Sequence, residues 1–190
     1  MTKKSSTEIL RELPALFRKV DVEKWTRHSS IFLNRAVRKG WIYRLARGSY
    51  INTYFKDWPT VEEVGCFLHP PAYVSGEWAL HHHGVLLQVP RVCMVVTLRG
   101  SVGHSRSLNY RDVTLEFSKI ASSLFWGIQR EERYDLATPE KALLDLLYLR
   151  GTIPLPDELE LSELNFESLH NFSERFPRTV RGKISQLIKP

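Results

Sequence analysis

The sequence predicts an α+β protein in two parts: a small basic helical domain ending in a β-hairpin over residues 1–55, and a mixed α/β domain over residues 60–190 with a small sheet and flanking helices. Three observations carry this reading. Residues 1–55 hold 12 Lys and Arg against 4 Asp and Glu, whereas residues 56–190 hold 15 against 17, so the net charge of +6 arises in the first part. The stretch Ser29 to Asn52, SSIFLNRAVRKGWIYRLARGSYIN, begins with helical apolar spacing and changes at Gly40 to β-forming residues. The run VCMVVTL, Val92 to Leu98, has strand length and is apolar throughout, as a central strand covered on both faces requires.

The first domain opens with Ser5-x-x-Glu8, the pattern of a capping box, ahead of Ile9, Leu13, Leu16 and Phe17 at helical spacing. This predicts a first helix of about ten residues that bends or breaks at Pro14. Asp21 is placed to cap a short second helix from Val22 to Thr26, and His28-Ser29 forms the turn into a third. Ser29 or Ser30 caps that helix, Leu33, Ala36 and Val37 share its packed face with Phe32 beside them, and Gly40 ends it. Trp41 to Leu45 and Ser49 to Asn52 are strands around an Arg47-Gly48 turn, with Trp41, Leu45 and Tyr50 sealing hairpin to helices. Two short helices, a turn, a third helix and a hairpin make a winged helix-turn-helix.

The residue types on that helix and hairpin suit double-stranded DNA. Residues 18–47 contain nine basic side chains and two acidic ones, and cations that neutralise phosphates release condensed counterions. Arg35 and Arg38 have the fork geometry for guanine, Asn34 pairs with adenine, and His28, Ser29 and Ser30 lie at the helix start where phosphates are held. Arg44 and Arg47 are the wing contacts. An acidic protein partner for the same basic helix is the competing reading of the charge.

Tyr54 to Pro59, YFKDWP, reads as the exit from the first domain. Beyond it, Thr60-x-x-Glu63 predicts a capped helix that stops before Pro70-Pro71, and Tyr73-Val74-Ser75 predicts an extended entry to a helix capped by Ser75 and ended by Gly84. Val92–Leu98, Val113–Phe117 and Phe125–Arg130 are the predicted strands. The segment RGSVGHSRSLNYRD between the first two is either a loop that adds DNA contacts or a long hairpin connection. Thr138 as N-cap, Pro139 at the first helical position and Glu140 in the first turn open a helix whose apolar residues cover most of its circumference. Two amphipathic helices follow, one with Phe166, Leu169, Phe172 and Phe176, the other with Val180, Ile184, Leu187 and Ile188. They either close the domain core or offer a dimer or partner surface.

Other classes find less support. Cys66 and Cys93 sit in apolar surroundings without metal-knuckle or redox spacing, and no apolar run approaches the roughly 18 residues that span a bilayer. A reduced, cytoplasmic protein without a membrane segment is expected. His81, His82 and His83 are adjacent, and side chains about 100° apart on a helix cannot all ligate one metal. Structural histidines are expected, with no metal, cofactor or catalytic residue. The competing enzyme reading would build a metal-dependent hydrolase from Glu77, His81 and His104.

AYVSGEWALHHHGV, followed some fifty residues on by DLATPEKALLDLLYL and preceded by GWIYRLARGSY, resembles the AbiEi-type antitoxins of type IV toxin-antitoxin systems and their transcription-regulator relatives. The likeness runs from the first helix to about Leu149. It implies an autorepressor whose winged helix binds inverted repeats in its own promoter as a possible homodimer, with DNA contacts at Ser29, Ser30, Asn34, Arg35, Arg38, Arg44 and Arg47. It also implies a second domain that neutralises a nucleotidyltransferase-like toxin. A stand-alone regulator without a toxin is the alternative within the same likeness.

Overall fold

The structure, a computed structural model, describes residues 4–54, 57–99, 107–152 and 156–188. The chain is α+β and divides into two compact units, residues 1–60 and 61–190. The linker expected at Tyr54 to Pro59 falls partly on residues 55–56, outside the described residues.

In the first unit, helix α1 spans Ser6–Glu12. The Ser5 hydroxyl accepts from the Glu8 amide at 3.3 Å and the Glu8 carboxylate accepts from the Ser5 amide at 2.6 Å, the reciprocal bonding of a capping box. The helix is shorter than expected, because Leu13 precedes a proline and turns extended at ψ 138. Leu16 and Phe17 therefore belong to a strand, β1 (Leu16–Arg18), which pairs antiparallel with β3 (Ser49–Asn52). Helix α2 (Lys19–Glu23) also starts earlier than expected: Asp21 is its third residue, and its carboxylate accepts from the Arg18 amide at 2.8 Å instead of capping a helix after it.

Helix α3 spans Ser29–Arg38 and has His28, not Ser29 or Ser30, at the N-cap. Gly40, at φ 65, makes the left-handed exit, and β2 (Ile42–Ala46) returns through Arg47-Gly48 to β3, giving the sheet order β1-β3-β2. Ile9, Leu10, Phe17, Val22, Leu33, Ala36 and Ile42 form the core, with Trp41 packed against it and Leu45 and Tyr50 both buried. Val37, expected on the packed face, is 39% exposed. Asn52 is buried and donates to the carbonyls of Leu10 and Leu13 at 2.8 and 3.2 Å, which ties the end of α1 to the last strand.

The second unit is a six-stranded mixed sheet in the order β6-β7-β5-β4-β9-β8. Its strands are β4 (Ala72–Ser75), β5 (Val92–Thr97), β6 (Ser107–Tyr110), β7 (Val113–Lys119), β8 (Ile128–Arg130) and β9 (Asp135–Ala137). The VCMVVTL run supplies the central strand from Val92 to Thr97, one residue shorter than expected, and is buried from Cys93 to Thr97. Helices α4 (Val61–Leu68), α5 (Gly76–His82) and α6 (Pro139–Arg150) cover it. A side chain at Gly65 of α4 would meet Val95, and one at Gly76 of α5 would meet Met94. Because neighbouring strand residues face opposite sides, α4 lies on one face and α5 on the other. Helices α7 (Phe166–Ser173) and α8 (Arg178–Ile188) close this unit's core, where Phe172 and Phe176 meet the Trp126 ring at 5.0 and 6.0 Å. Phe176 itself lies just beyond α7.

Candidate nucleic-acid interface

Helix α3 divides cleanly around its circumference. Ser29, Leu33 and Ala36 are buried, while Ser30, Asn34 and Arg38, four residues apart, form one exposed stripe with Ile31 and Arg35 beside it. Residue type explains most of the division: Leu33 and Ala36 face the core and Asn34, Arg35 and Arg38 face outward, whereas Ser29 is buried and Ile31 and Val37 are exposed. Arg44 in β2 and Arg47 in the hairpin turn are exposed as well. Among the described residues, no ion pair involves Arg35, Arg38, Arg44 or Arg47.

Ser29 departs from the expected set. It is the first helical residue rather than an outward cap, it is 5% exposed, and its hydroxyl donates to Glu23 at 3.4 Å. His28 is exposed and supplies no side-chain cap, and the first turn of α3 contains no acidic residue. Its leading amides thus lack a side-chain acceptor, the condition in which a helix start accommodates an anion. A groove of about 450 Å³ opens between α1 and α3 on the Arg35 flank of the exposed stripe.

The second unit's conspicuous polar residues are occupied internally. His81 Nδ1 bonds the Leu86 carbonyl at 3.0 Å and His83 Nε2 the Ala137 carbonyl at 2.8 Å. Glu77 and Glu116 both accept from Arg150 at 3.1 Å. His104 lies outside the described residues, as does much of the RGSVGHSRSLNYRD segment, whose later part forms β6. Ser75 holds the N-cap position of α5 without capping it, because its hydroxyl donates instead to Asp145 at 2.8 Å.

That bond belongs to a polar cluster the sequence reading missed. Lys141 and Asp145, one turn apart on α6, are fully buried; the ammonium donates to the carboxylate and to the Tyr73 hydroxyl at 2.7 Å, and Tyr73 donates to Asp145 at 2.8 Å. Burial pushes the Lys141 ammonium down and the Asp145 carboxyl up, each toward its neutral form, against their mutual attraction. Burial likewise holds the Tyr73 hydroxyl well above its usual range. The available signal was a Lys and an Asp at i,i+4 inside a helix whose middle, from Ala142 to Leu149, is otherwise apolar but for the Tyr148 hydroxyl.

The fold and this face define an α+β protein with a basic, outward helix beside a hairpin. No family model matches the chain, and no curated protein matches it. Among solved structures it is similar to the crystal structure of the Rv2827c protein from Mycobacterium tuberculosis, with a TM-score of 0.64, 12% sequence identity, and coverage of 96% of this chain and 74% of that one. At that identity the likeness extends to the fold. No helix among the described residues is long and apolar enough to cross a membrane.

Proposed function

We propose that residues 4–54 are a winged helix-turn-helix that binds double-stranded DNA, and that the chain is a transcriptional repressor acting by binding rather than catalysis. The observation that carries the reading is the outward face of α3, where Ser30, Asn34, Arg35 and Arg38 stand without a described acidic partner and within one unit with the exposed hairpin arginines Arg44 and Arg47. The order α1-β1-α2-α3-β2-β3 supports it, since a helix that follows a tight turn and precedes a hairpin is the arrangement that enters a major groove. Within this reading α3 carries base contacts, the uncapped start of α3 takes a phosphate, and the hairpin tip follows the backbone.

The resemblance to AbiEi-type antitoxins extends the proposal to a repressor of its own operon, with inverted repeats as operator, a homodimer on DNA and a nucleotidyltransferase-like toxin as partner. The basic balance of the first unit supports the DNA part of this more directly than the toxin part. The test is a salt titration of binding to the upstream region and to random duplex. Each phosphate contact contributes a slope of about −0.9 in log K against log salt, and equal affinity for both duplexes would sink the proposal. Co-expression with a nucleotidyltransferase encoded next door separates antitoxin from stand-alone regulator: rescue of growth indicates the former.

A further inference from the structure

The groove beside α3 has aromatic walls that duplex binding does not use. Its walls are aromatic, from Trp25, Phe32 and Trp41; its rim carries His28, Arg35 and Lys39; and none of its lining residues is acidic. Trp25 is 38% exposed and lies outside the core cluster, so packing does not account for an indole at this position. The Lys4 ammonium, itself paired with Glu12, sits 3.9 Å from the Trp25 ring centroid, and the Lys39 ammonium 4.4 Å from that of Trp41. Each indole thus already carries a cation over its ring. Its volume of about 450 Å³ falls within the roughly 300–1,000 Å³ typical of small-ligand sites.

We infer that this groove binds a planar aromatic anion of the size of a nucleoside monophosphate. The ring packs against the aromatic wall of Trp25, Phe32 and Trp41, where any base offers a π-face, with the Lys4 and Lys39 ammonium groups giving way over the indoles, and the anionic group meets Arg35, Lys39 and His28. A closed duplex offers phosphates but keeps its bases stacked on one another, so it would leave the aromatic walls unused. Arg35 and His28 also belong to the proposed DNA face. Occupancy therefore competes with duplex, a regulatory consequence that rests on the DNA-binding reading, whereas ligand binding itself does not.

The experiment titrates the full chain with 5′-AMP, adenosine and ribose 5-phosphate, reading tryptophan fluorescence. Saturable quenching by 5′-AMP is expected, with binding weakened at least about tenfold when either the base or the phosphate is missing, as the loss of one charge-assisted or stacking contact implies. Trp25→Leu and Lys39→Glu, both at exposed positions, are each expected to weaken 5′-AMP binding while leaving the circular dichroism spectrum unchanged. No quenching, or quenching that both variants retain, overturns the site. A second titration follows displacement of operator duplex. Displacement supports the regulatory link, and saturable 5′-AMP binding with undiminished duplex binding overturns that link while leaving the site standing. A chain that binds 5′-AMP and no duplex defeats the repressor proposal alone.

Discussion

The Lys141 ammonium donates a hydrogen bond to the Asp145 carboxylate one turn along α6, and both side chains are fully buried with Tyr73 and Ser75 bonded to them. Removing one partner strands a charge without solvent. Lys141→Met is expected to destabilise the second unit by about 3–5 kcal/mol, read from urea unfolding. The double variant Lys141→Met with Asp145→Asn is expected to cost less than the sum of the singles, because Asn keeps an acceptor for the Tyr73 and Ser75 hydroxyls and no charge remains. Additive losses would mean that the two residues do not act as a pair.

Asn52 makes a comparable closure in the first unit through its two bonds to the end of α1. Asn52→Ala leaves two carbonyls without their donor in a buried place and is expected to cost about 2–3 kcal/mol. Asn52→Asp is expected to cost more, since a carboxylate would face those same carbonyls. Thermal unfolding of the two variants ranks them, and an Asp variant as stable as wild type would refute the assignment.

How far the sequence disclosed these features depends on the range of the forces involved. Local chemistry was readable: Ser5 and Glu8, Thr138 with Pro139, and Gly40 mark helix ends through bonds within a few residues. Strand β1 was hidden because Leu16 and Phe17 continue the apolar spacing of α1. Their state is decided by Pro14 and by Tyr50 and Ile51, more than thirty residues on. Similarly β6 and β9, of four and three residues, have no periodicity to show, and pairing alone defines them. On the candidate face, period placed Asn34, Arg35 and Arg38 outward, but Ser29 and Val37 exchanged expected roles. The helix starts one residue earlier than Ser29 as cap would give, with His28 at the N-cap, so Ser29 turns inward to Glu23, and only the packing partners reveal that. The groove draws on Trp25 and Lys39, which lie apart in sequence and carry no motif.

The cap at α1 yields a pH dependence. The Ser5 amide, followed by the Ser5 hydroxyl, holds the Glu8 carboxyl below its ordinary value of 4.5. A carboxyl depressed in the folded state contributes stability above its unfolded pKa and loses it as pH falls through the lower, folded one. Wild type is therefore expected to lose α1 stability below about pH 4.5, and Glu8→Gln to flatten that part of the profile. Hydrogen exchange of the α1 amides across this range measures it; identical profiles would show that the bond seen at 2.6 Å carries no free energy in solution.

The DNA proposal makes its sharpest demand on residues that the fold treats differently. Arg38 lies on the outward stripe of α3 and Arg47 at the hairpin turn, both exposed. If Arg38 reads a base, Arg38→Ala weakens operator binding by about 1–3 kcal/mol and leaves binding to random duplex nearly unchanged. If Arg47 holds a phosphate, Arg47→Ala weakens both duplexes alike and lowers the salt slope by about one. Ser29 and Ser30 provide the internal control. The Ser29 hydroxyl is turned to Glu23, so Ser29→Ala is expected to leave affinity unaltered, whereas Ser30→Ala at the exposed helix start lowers it. Anisotropy titrations of the four variants on both duplexes decide the matter. Equal effects of the two arginine variants on operator and random DNA would reduce the face to an electrostatic surface without sequence readout, and a stronger effect at Ser29 than at Ser30 would mean that α3 does not present this stripe to DNA.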